Sequence, residues 1–307
     1  MGKYIAKRIF SGIVTIWILI TCCFFLMHAI PGSPFSKGEQ GVPAAVMERL
    51  NEKYGLDQPL STQYFRYLDH ILHLDLGISY KNSSVQVNDL ITRGFPISGK
   101  IGILAVLFSV VVGIALGVTS AVKRGSLFDG VSMVLATIGV CVPLFVISVL
   151  LLYLFAGVLG WLPTYGLSTW KHYILPVVCL SFSPIAYIAR MTRSSMLEAM
   201  QQDYIRTARA KGVAESMVIL KHGLRNAILP VVTYLGTLIA NLLTGSFIVE
   251  RLFAIPGLGK YFVDSITARD YNIIMGVTIF LGVFVVTCNL IVDVVYGIID
   301  PLVKMEE

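Results

Sequence analysis

Apolar residues along this chain collect in long runs that carry no charge. Such runs lie between Arg8 and Lys37, Lys100 and Lys123, Asp129 and Lys171, Lys171 and Arg190, Arg225 and Glu250, and Asp270 and Asp293. A bilayer core of about 30 Å needs about 20 apolar residues of helix to cross it. The third run is long enough for more than one span, but its "GVLGWLPTYG" stretch carries the Gly and Pro of a loop. The pattern therefore predicts six transmembrane helices. The first ends near residue 30, and the others cover about 98–122, 131–156, 173–191, 228–249 and 272–296. The stretch from Ile9 to Ile30 is longer than a signal-peptide core. It runs into "IPGSP" with no small-x-small cleavage site, so it reads as a retained anchor.

An even number of spans puts both termini on one side. Placing the N-terminus in the cytoplasm makes Lys and Arg about twice as dense on that side, "KR" at Lys123–Arg124 included. Composition agrees with a membrane protein: 56% of residues are hydrophobic and 14% charged, with a mean hydropathy of +0.77. Soluble domains carry about 25% charged residues. The net charge of +6 then reports orientation before it reports a nucleic-acid partner. Cys22, Cys23, Cys141, Cys179 and Cys288 all fall inside predicted spans and read as buried small hydrophobes.

The fold class that follows is all-α integral membrane, with a small extracytoplasmic α/β insertion between helices 1 and 2. Residues 1–30 hold the N-terminal tip and first helix, 31–96 the insertion, 97–300 the main membrane domain and 301–307 a cytoplasmic tail. The insertion has turn residues, an amphipathic "PAAVMERLNEKYGL" ending at Gly55, and a strand-like "SVQVNDLI". In "GIALG", Gly113 and Gly117 stand four apart, a spacing that lets two helices approach closely, within the chain or across subunits.

One segment breaks the apolar pattern. Residues 192–227 form a basic cytoplasmic loop containing "DYIRTARAKGVAESMVILKHGLRNAILP". Ser195 and Glu198 have capping-box spacing for a helix start. Met196, Met200, Tyr204 and Ala208 would share a stripe at i+4 spacing, and Gly212 stands where a left-handed helix end belongs. A second helix, about Glu215 to Arg225, leads into the fifth span. Three roles fit such a helix–turn–helix: a headgroup-binding loop, a DNA reader, or a docking surface with an apolar knob and a basic rim. Tethering both ends at the bilayer disfavours entry into a major groove.

"DYIRTARAKG" followed by "LRNAILPVV" resembles the cytoplasmic coupling (EAA) loop of binding-protein-dependent ABC importer permeases. The likeness is narrower still to the first-permease type of the oligopeptide/dipeptide/nickel branch. It extends through "IPGSPF", "KYGLDQPLSTQYFRYL", "DLGISY", "VNDLI", "FPIS", "ERLFAIPGLGKYFVDSITARDY" and "VDVVYGIIDP", covering essentially the whole chain. The superfamily's Glu-Ala-Ala becomes Arg206-Thr207-Ala208 here, and its later Leu-Pro becomes Leu224-Arg225.

The resemblance implies a type I ABC importer permease fold and a transport subunit in the cytoplasmic (inner) membrane of a bacterium, passing oligopeptides or dipeptides inward. It implies a second homologous permease as heterodimer partner, two cytoplasmic ATP-binding subunits and an extracytoplasmic substrate-binding protein, besides membrane lipid and without nucleic acid. ATPase docking would fall to Tyr204, Arg206, Thr207, Ala208, Arg209, Ala210, Lys211, Gly212, Leu224 and Arg225. No cofactor is expected on this chain; ATP and Mg would sit on the partners, since "GLGKYF" at Gly257–Phe262 lacks the phosphate-loop spacing and hydroxyl. A nickel or metal-chelate importer of the same branch is the alternative, and a stand-alone secondary transporter a more distant one.

Several polar residues suit either a pathway or helix packing: Asn241 and Thr244 in the fifth span, Asn289 and Asp293 in the sixth. Pro256, Gly257 and Gly259 fall in an outer loop that is a candidate gate or cap. His70, His73 and Asp75 have helical spacing for a metal, but two imidazoles and a carboxylate fit a helix-end role as well. No catalytic residues and no metal ligands are assigned.

Overall fold

Where the apolar runs predict helices, the chain is helical. The computed structural model describes residues 2–30, 48–49 and 55–299; most of the amphipathic stretch ahead of Gly55, and the tail 301–307, fall outside them. In order, the helices are α1 (Gly2–Ala29), α2 (Leu60–Leu72), α3 (Val87–Val122), α4 (Leu127–Cys141) and α5 (Leu144–Leu151). After them come α6 (Lys171–Ala199), α7 (Asp203–Ala210), α8 (Glu215–Met217), α9 (Leu224–Ala227), α10 (Leu229–Leu243), α11 (Phe247–Leu252), α12 (Leu258–Ala268) and α13 (Tyr271–Ile299). Among the described residues, five stretches are long and apolar enough to cross a membrane: Ala6–Ala29, Val87–Val122, Lys171–Ala199, Leu229–Leu252 and Tyr271–Val292.

The sixth expected span, 131–156, is not a straight helix but a broken span or a re-entrant loop. It is a pair, Leu127–Cys141 and Leu144–Val158, bent by 111°. Val142 is extended and Pro143 caps the second helix. A residue before proline is pushed out of the α region, so the break falls at Pro143. Beyond α5 the backbone widens into a π-helical turn, Leu152–Val158, and leaves the helix through Gly160 at φ +62°.

Two compact units divide the chain. The first joins Met1–Ile97 to Pro256–Leu290, and the second joins Ser98–Ile255 to Ile291–Glu307. In the first unit, the start of α13 clamps the turn that follows α2. Asp270, almost fully buried, accepts hydrogen bonds from Ser79 Oγ and the Tyr80 amide, and Asn272 donates to the Ile78 carbonyl at 2.8 Å. Thr21 and Tyr64 hydroxyls meet at 2.7 Å, and His28 reaches Gln63 at 3.1 Å, fastening α2 to the end of α1. The strand expected in "SVQVNDLI" is a correction. Among the described residues only an isolated bridge, Ile78 to Gln86, precedes a helix that begins at Val87. Val87 and Ile91 are buried at i+4 spacing, and that register continues into Phe95, which packs on Phe280 and Phe284. The apolar positions suited period 2 over a few residues; the longer 3.6 period decides. The described part of the expected insertion therefore holds helix and turns, and its α/β character is not seen there.

In the second unit, α6 is the central helix. Gly113 and Gly117 of α3 lie against it: a Cβ at Gly113 would stand 2.8 Å from Ile188 Cβ, and one at Gly117 2.7 Å from the Ala189 carbonyl oxygen. The partner for the GIALG pair is thus internal. Toward its end α6 also holds α4. Arg193 donates through Nε to Asp129 Oδ1 at 2.6 Å and through Nη2 to Oδ2 at 2.8 Å, with the carboxylate buried. Bidentate pairing of this kind fixes direction as well as distance.

Candidate functional site

The loop between α6 and α10 is a helical hairpin built on a small apolar contact of its own. α6 runs unbroken through Ser195 and Glu198, so the capping box expected there does not start a helix. The break comes at Met200–Gln202, and extended Gln202 precedes α7. This re-aims the chain, and the expected Met196–Met200–Tyr204–Ala208 stripe is not one surface. Met196 is fully buried with Ala121, Ala199 and Ala227, whereas Ala208 packs with Ile205 and Val218 in a second cluster that Val213 joins, and Met200 touches both.

Gly212 behaves as its position predicts. Its φ is +75°, its amide bonds the Arg209 carbonyl at 2.9 Å, and the next amide, Val213, reaches the Ala208 carbonyl at 3.2 Å. This paired return is the Schellman closure of a helix, with Val213 supplying the accompanying apolar contact. Across the turn Arg209 donates to Glu215 through Nε at 3.1 Å and Nη2 at 2.6 Å. Those bonds hold the Glu215 carboxyl below its usual range. A lowered carboxyl keeps its partner above the ordinary glutamate range, and loses it as pH falls through the lowered value. Both side chains are exposed, so the pair contributes modestly. Glu215→Gln is expected to speed tryptic cutting after Lys211 by about twofold; an unchanged rate would show that the bridge does not hold the turn.

The second arm is not the single helix expected over Glu215–Arg225. Three residues of α8 open into a π-helical turn, Val218–Gly223, before α9 resumes. Gly223 fits beneath Met196 and Met200, where a Cβ would stand 3.0 Å from Met200 Sδ. π turns recur at functional positions in helices.

Facing out are Tyr204, Arg206, Thr207, Arg209, Ala210, Lys211, Gly212 and Arg225. Ala208 faces in and Leu224 is half-buried against the Met196 cluster, so these two support the surface and do not form it. Two exposed apolar residues escaped the sequence reading, Met217 and Leu220. Their signal was present: with Val218 committed inward, residues 217 and 220 fall off the buried face. Together with Tyr204 they give the hairpin three large apolar side chains in solvent beside a row of cations.

The other candidates disperse. Asn241 is exposed and Thr244 half-buried, its hydroxyl bonded to the Asn241 carbonyl at 2.8 Å. Asn289 is exposed on α13; Asp293 lies in the same helix, with its side chain outside the described residues. Gly257 caps α12, whose first residues, Leu258 and buried Gly259, follow Pro256 in the first unit. There the packing is tight, since a Cβ at Gly94 would meet the Leu258 amide nitrogen at 3.1 Å. His70 bonds Asp75 Oδ2 at 3.0 Å, but His73 turns its Nδ1 to the Asp69 carbonyl at 2.8 Å. The two imidazoles thus have separate partners, and among the described residues no three His, Cys, Asp or Glu side chains converge on a metal position.

Comparison with known proteins places this architecture. The sequence profile of the binding-protein-dependent transport system inner membrane component matches residues 113–305, and that family's N-terminal profile matches residues 1–101. The dipeptide transport system permease protein DppB of Bacillus subtilis (strain 168) is 46% identical over 310 residues, covering 100% of this chain and 99% of that protein. The oligopeptide transport system permease protein OppB of Escherichia coli (strain K12) is 43% identical over 306 residues, or 99% and 100%. The crystal structure of an amino acid ABC transporter with histidines superposes with a TM-score of 0.54 at 20% identity, over 67% of this chain and 92% of that one, and shares the fold. With both profiles matched in order and full-length relatives at this identity, the chain belongs to the binding-protein-dependent transport permeases, the membrane-embedded subunits of ABC importers.

Proposed function

We propose that the chain is one permease of an ATP-driven importer of oligopeptides or dipeptides, forming half of the pathway and docking a cytoplasmic ATPase through the α7–α9 hairpin. A second homologous permease would complete the membrane part, a substrate-binding protein would deliver peptide from outside, and ATP with Mg would be held by two partner ATPases. Both termini would face the cytoplasm, which the basic loops favour. The observation that carries the docking role is the division of the hairpin's faces. Ile205 and Ala208 lock α7 onto Val218, while Tyr204, Met217 and Leu220 stand in solvent among cations. An apolar centre with a charged rim is the make-up of a protein interface. A partner gripping α7 would move α6 and α10 with it, because the hairpin is closed by its own contacts. Full-length similarity to peptide permeases supports the substrate class.

The test is an affinity pull-down of the detergent-solubilised chain from cells expressing all subunits, with Tyr204→Asp and Gly212→Pro alongside. Tyr204 is exposed, so its replacement leaves the interior alone, and a Cβ at Gly212 would meet open space, so Gly212→Pro acts through the backbone. Proline cannot adopt φ +75° and removes the Gly212 amide bond, which undoes the helix closure. ATPase recovered with the wild type and lost with both variants is the expected result. ATPase recovered equally with all three would overturn docking at this hairpin.

A further inference from the structure

Helix α10 has two exposed faces, and they differ in chemistry. At about 100° per residue, Thr233, Tyr234, Thr237, Asn241 and Thr244 fall within one arc, where 233, 237 and 241 are exposed. On the far side Val232 and Ile239 are exposed and apolar. Between the two lie buried positions. Gly236 is closed off by Val292, and Val231 and Leu238 pack with Ile188 of α6. The lipid face of this helix is therefore the Val232–Ile239 side, and the hydroxyl and amide side needs another neighbour.

α6 supplies a matching surface. Exposed Ser183, Tyr187, Ser194 and Glu198 share one face, with Arg190 and Met191 half-buried beside them. Tyr187 and Tyr234 bring the two polar faces together, with ring centroids 4.5 Å apart. Thr233 and Thr244 return their hydroxyls to their own helix, at 3.2 Å and 2.8 Å. Among the described residues, however, neither the Asn241 carboxamide nor the Arg190 guanidinium has a side-chain partner. Polar side chains inside a membrane segment face a bundle interior or water, and lipid cannot satisfy them. A dry helix interface would use small residues, but Gly236 and Ala240 are already buried within the chain.

We propose that the Ser183–Tyr187–Ser194 face of α6 and the Thr233–Thr237–Asn241 face of α10 line a water-filled path for the translocated peptide. From Ser183 to Tyr187 on α6 and from Thr233 to Asn241 on α10 the lining offers hydroxyl and amide groups without charge, and Arg190 follows one turn beyond Tyr187. The uncharged lining therefore addresses the main-chain amides that all peptides share, with the Asn241 carboxamide and the Tyr187 hydroxyl as hydrogen-bonding groups, and leaves side chains unread. This assignment rests on the peptide-import reading above.

The experiment uses the assembled transporter in proteoliposomes, with the five native cysteines replaced by serine or alanine. Thr237→Cys, Asn241→Cys and, as lipid-facing control, Ile239→Cys are each exposed to a charged methanethiosulfonate reagent. A thiol reacts as its thiolate, which water favours and hydrocarbon suppresses, so positions 237 and 241 are expected to label at least about tenfold faster than 239. Saturating peptide is expected to slow both severalfold. Labelling at 237 and 241 no faster than at 239 would overturn the proposal, and is what a second permease packed dry against this face would produce. Fast labelling that peptide leaves unchanged, in a transporter that accumulates peptide, would overturn it as a substrate path. A wild-type assembly that accumulates no peptide would instead defeat the import reading, while the ratio of labelling rates still decides whether the face is wet.

Discussion

Gly117→Ala is expected to cost about 2–3 kcal/mol, although alanine is the better helix former. A Cβ at 117 would lie 2.5 Å from Thr192 Cβ and 2.7 Å from the Ala189 carbonyl oxygen. The second obstacle is helix backbone, which cannot rotate out of the way, so α3 must back off α6 along its length. Gly130→Ala provides the control. That glycine also sits inside a helix, but apart from its own helical backbone nothing lies within 4 Å of where its Cβ would go. There the substitution is expected to be neutral or to gain up to about 1 kcal/mol from helix propensity. Thermal unfolding of the detergent-solubilised protein should place the Gly117→Ala midpoint at least about 4 °C below wild type, with Gly130→Ala at or above it. Equal midpoints for the two variants would contradict the close approach of α3 and α6.

The second large effect is expected at the Arg193–Asp129 pair. Removing one partner from a buried ion pair strands the other charge and typically costs about 3–5 kcal/mol. Arg193→Ala strands the buried carboxylate and is expected to cost roughly 3–5 kcal/mol, whereas loss of the carboxylate leaves a guanidinium that keeps some access to solvent. Asp129→Asn should cost less, because the shorter loss leaves an acceptor for the Gly125 amide, now 3.0 Å from Oδ2. Arg193→Lys keeps the charge but not the two-pronged geometry and should fall between. In the double variant, Arg193→Ala with Asp129→Asn, no carboxylate is stranded. Its cost should fall below the sum of the single costs by about 1 kcal/mol or more, read from the same unfolding midpoints. Strict additivity would show that the two side chains do not stabilise one another.

Much of this architecture could be read from residue order. The span positions follow from charge-free runs, because an apolar helix of that length has no other stable home. Gly113 and Gly117 signalled a close helix contact, and the contact is within the chain. Gly212 announced its left-handed turn, since few residues tolerate that backbone. What resisted reading was geometry that depends on what covers a helix. Apolar spacing through Met196–Ala208 suggested one stripe, but nothing local reveals that the chain breaks at Met200–Gln202. Likewise Pro143 marked a perturbation without stating its size, and the bend of 111° is a property of how the two halves pack. Exposure is the least legible quantity. Ala208 and Tyr204 look equivalent on a helical wheel, yet one lies under Val218 and the other stands in solvent. Thr233, Thr237 and Asn241 become a face only once Gly236 and Leu238 are seen to be covered.

The π turn at Val218–Gly223 adds a question of phase. A wide turn houses one residue for which α geometry has no room, and each residue advances a helix by about 100°. The count of residues in that turn thus fixes the angular starting point for the chain entering α10. One residue fewer would turn Tyr234, Thr237 and Asn241 together by about 100°, away from Tyr187 on α6. Which side of α10 is wet is then decided partly by the number of residues in a turn that ends before that helix begins.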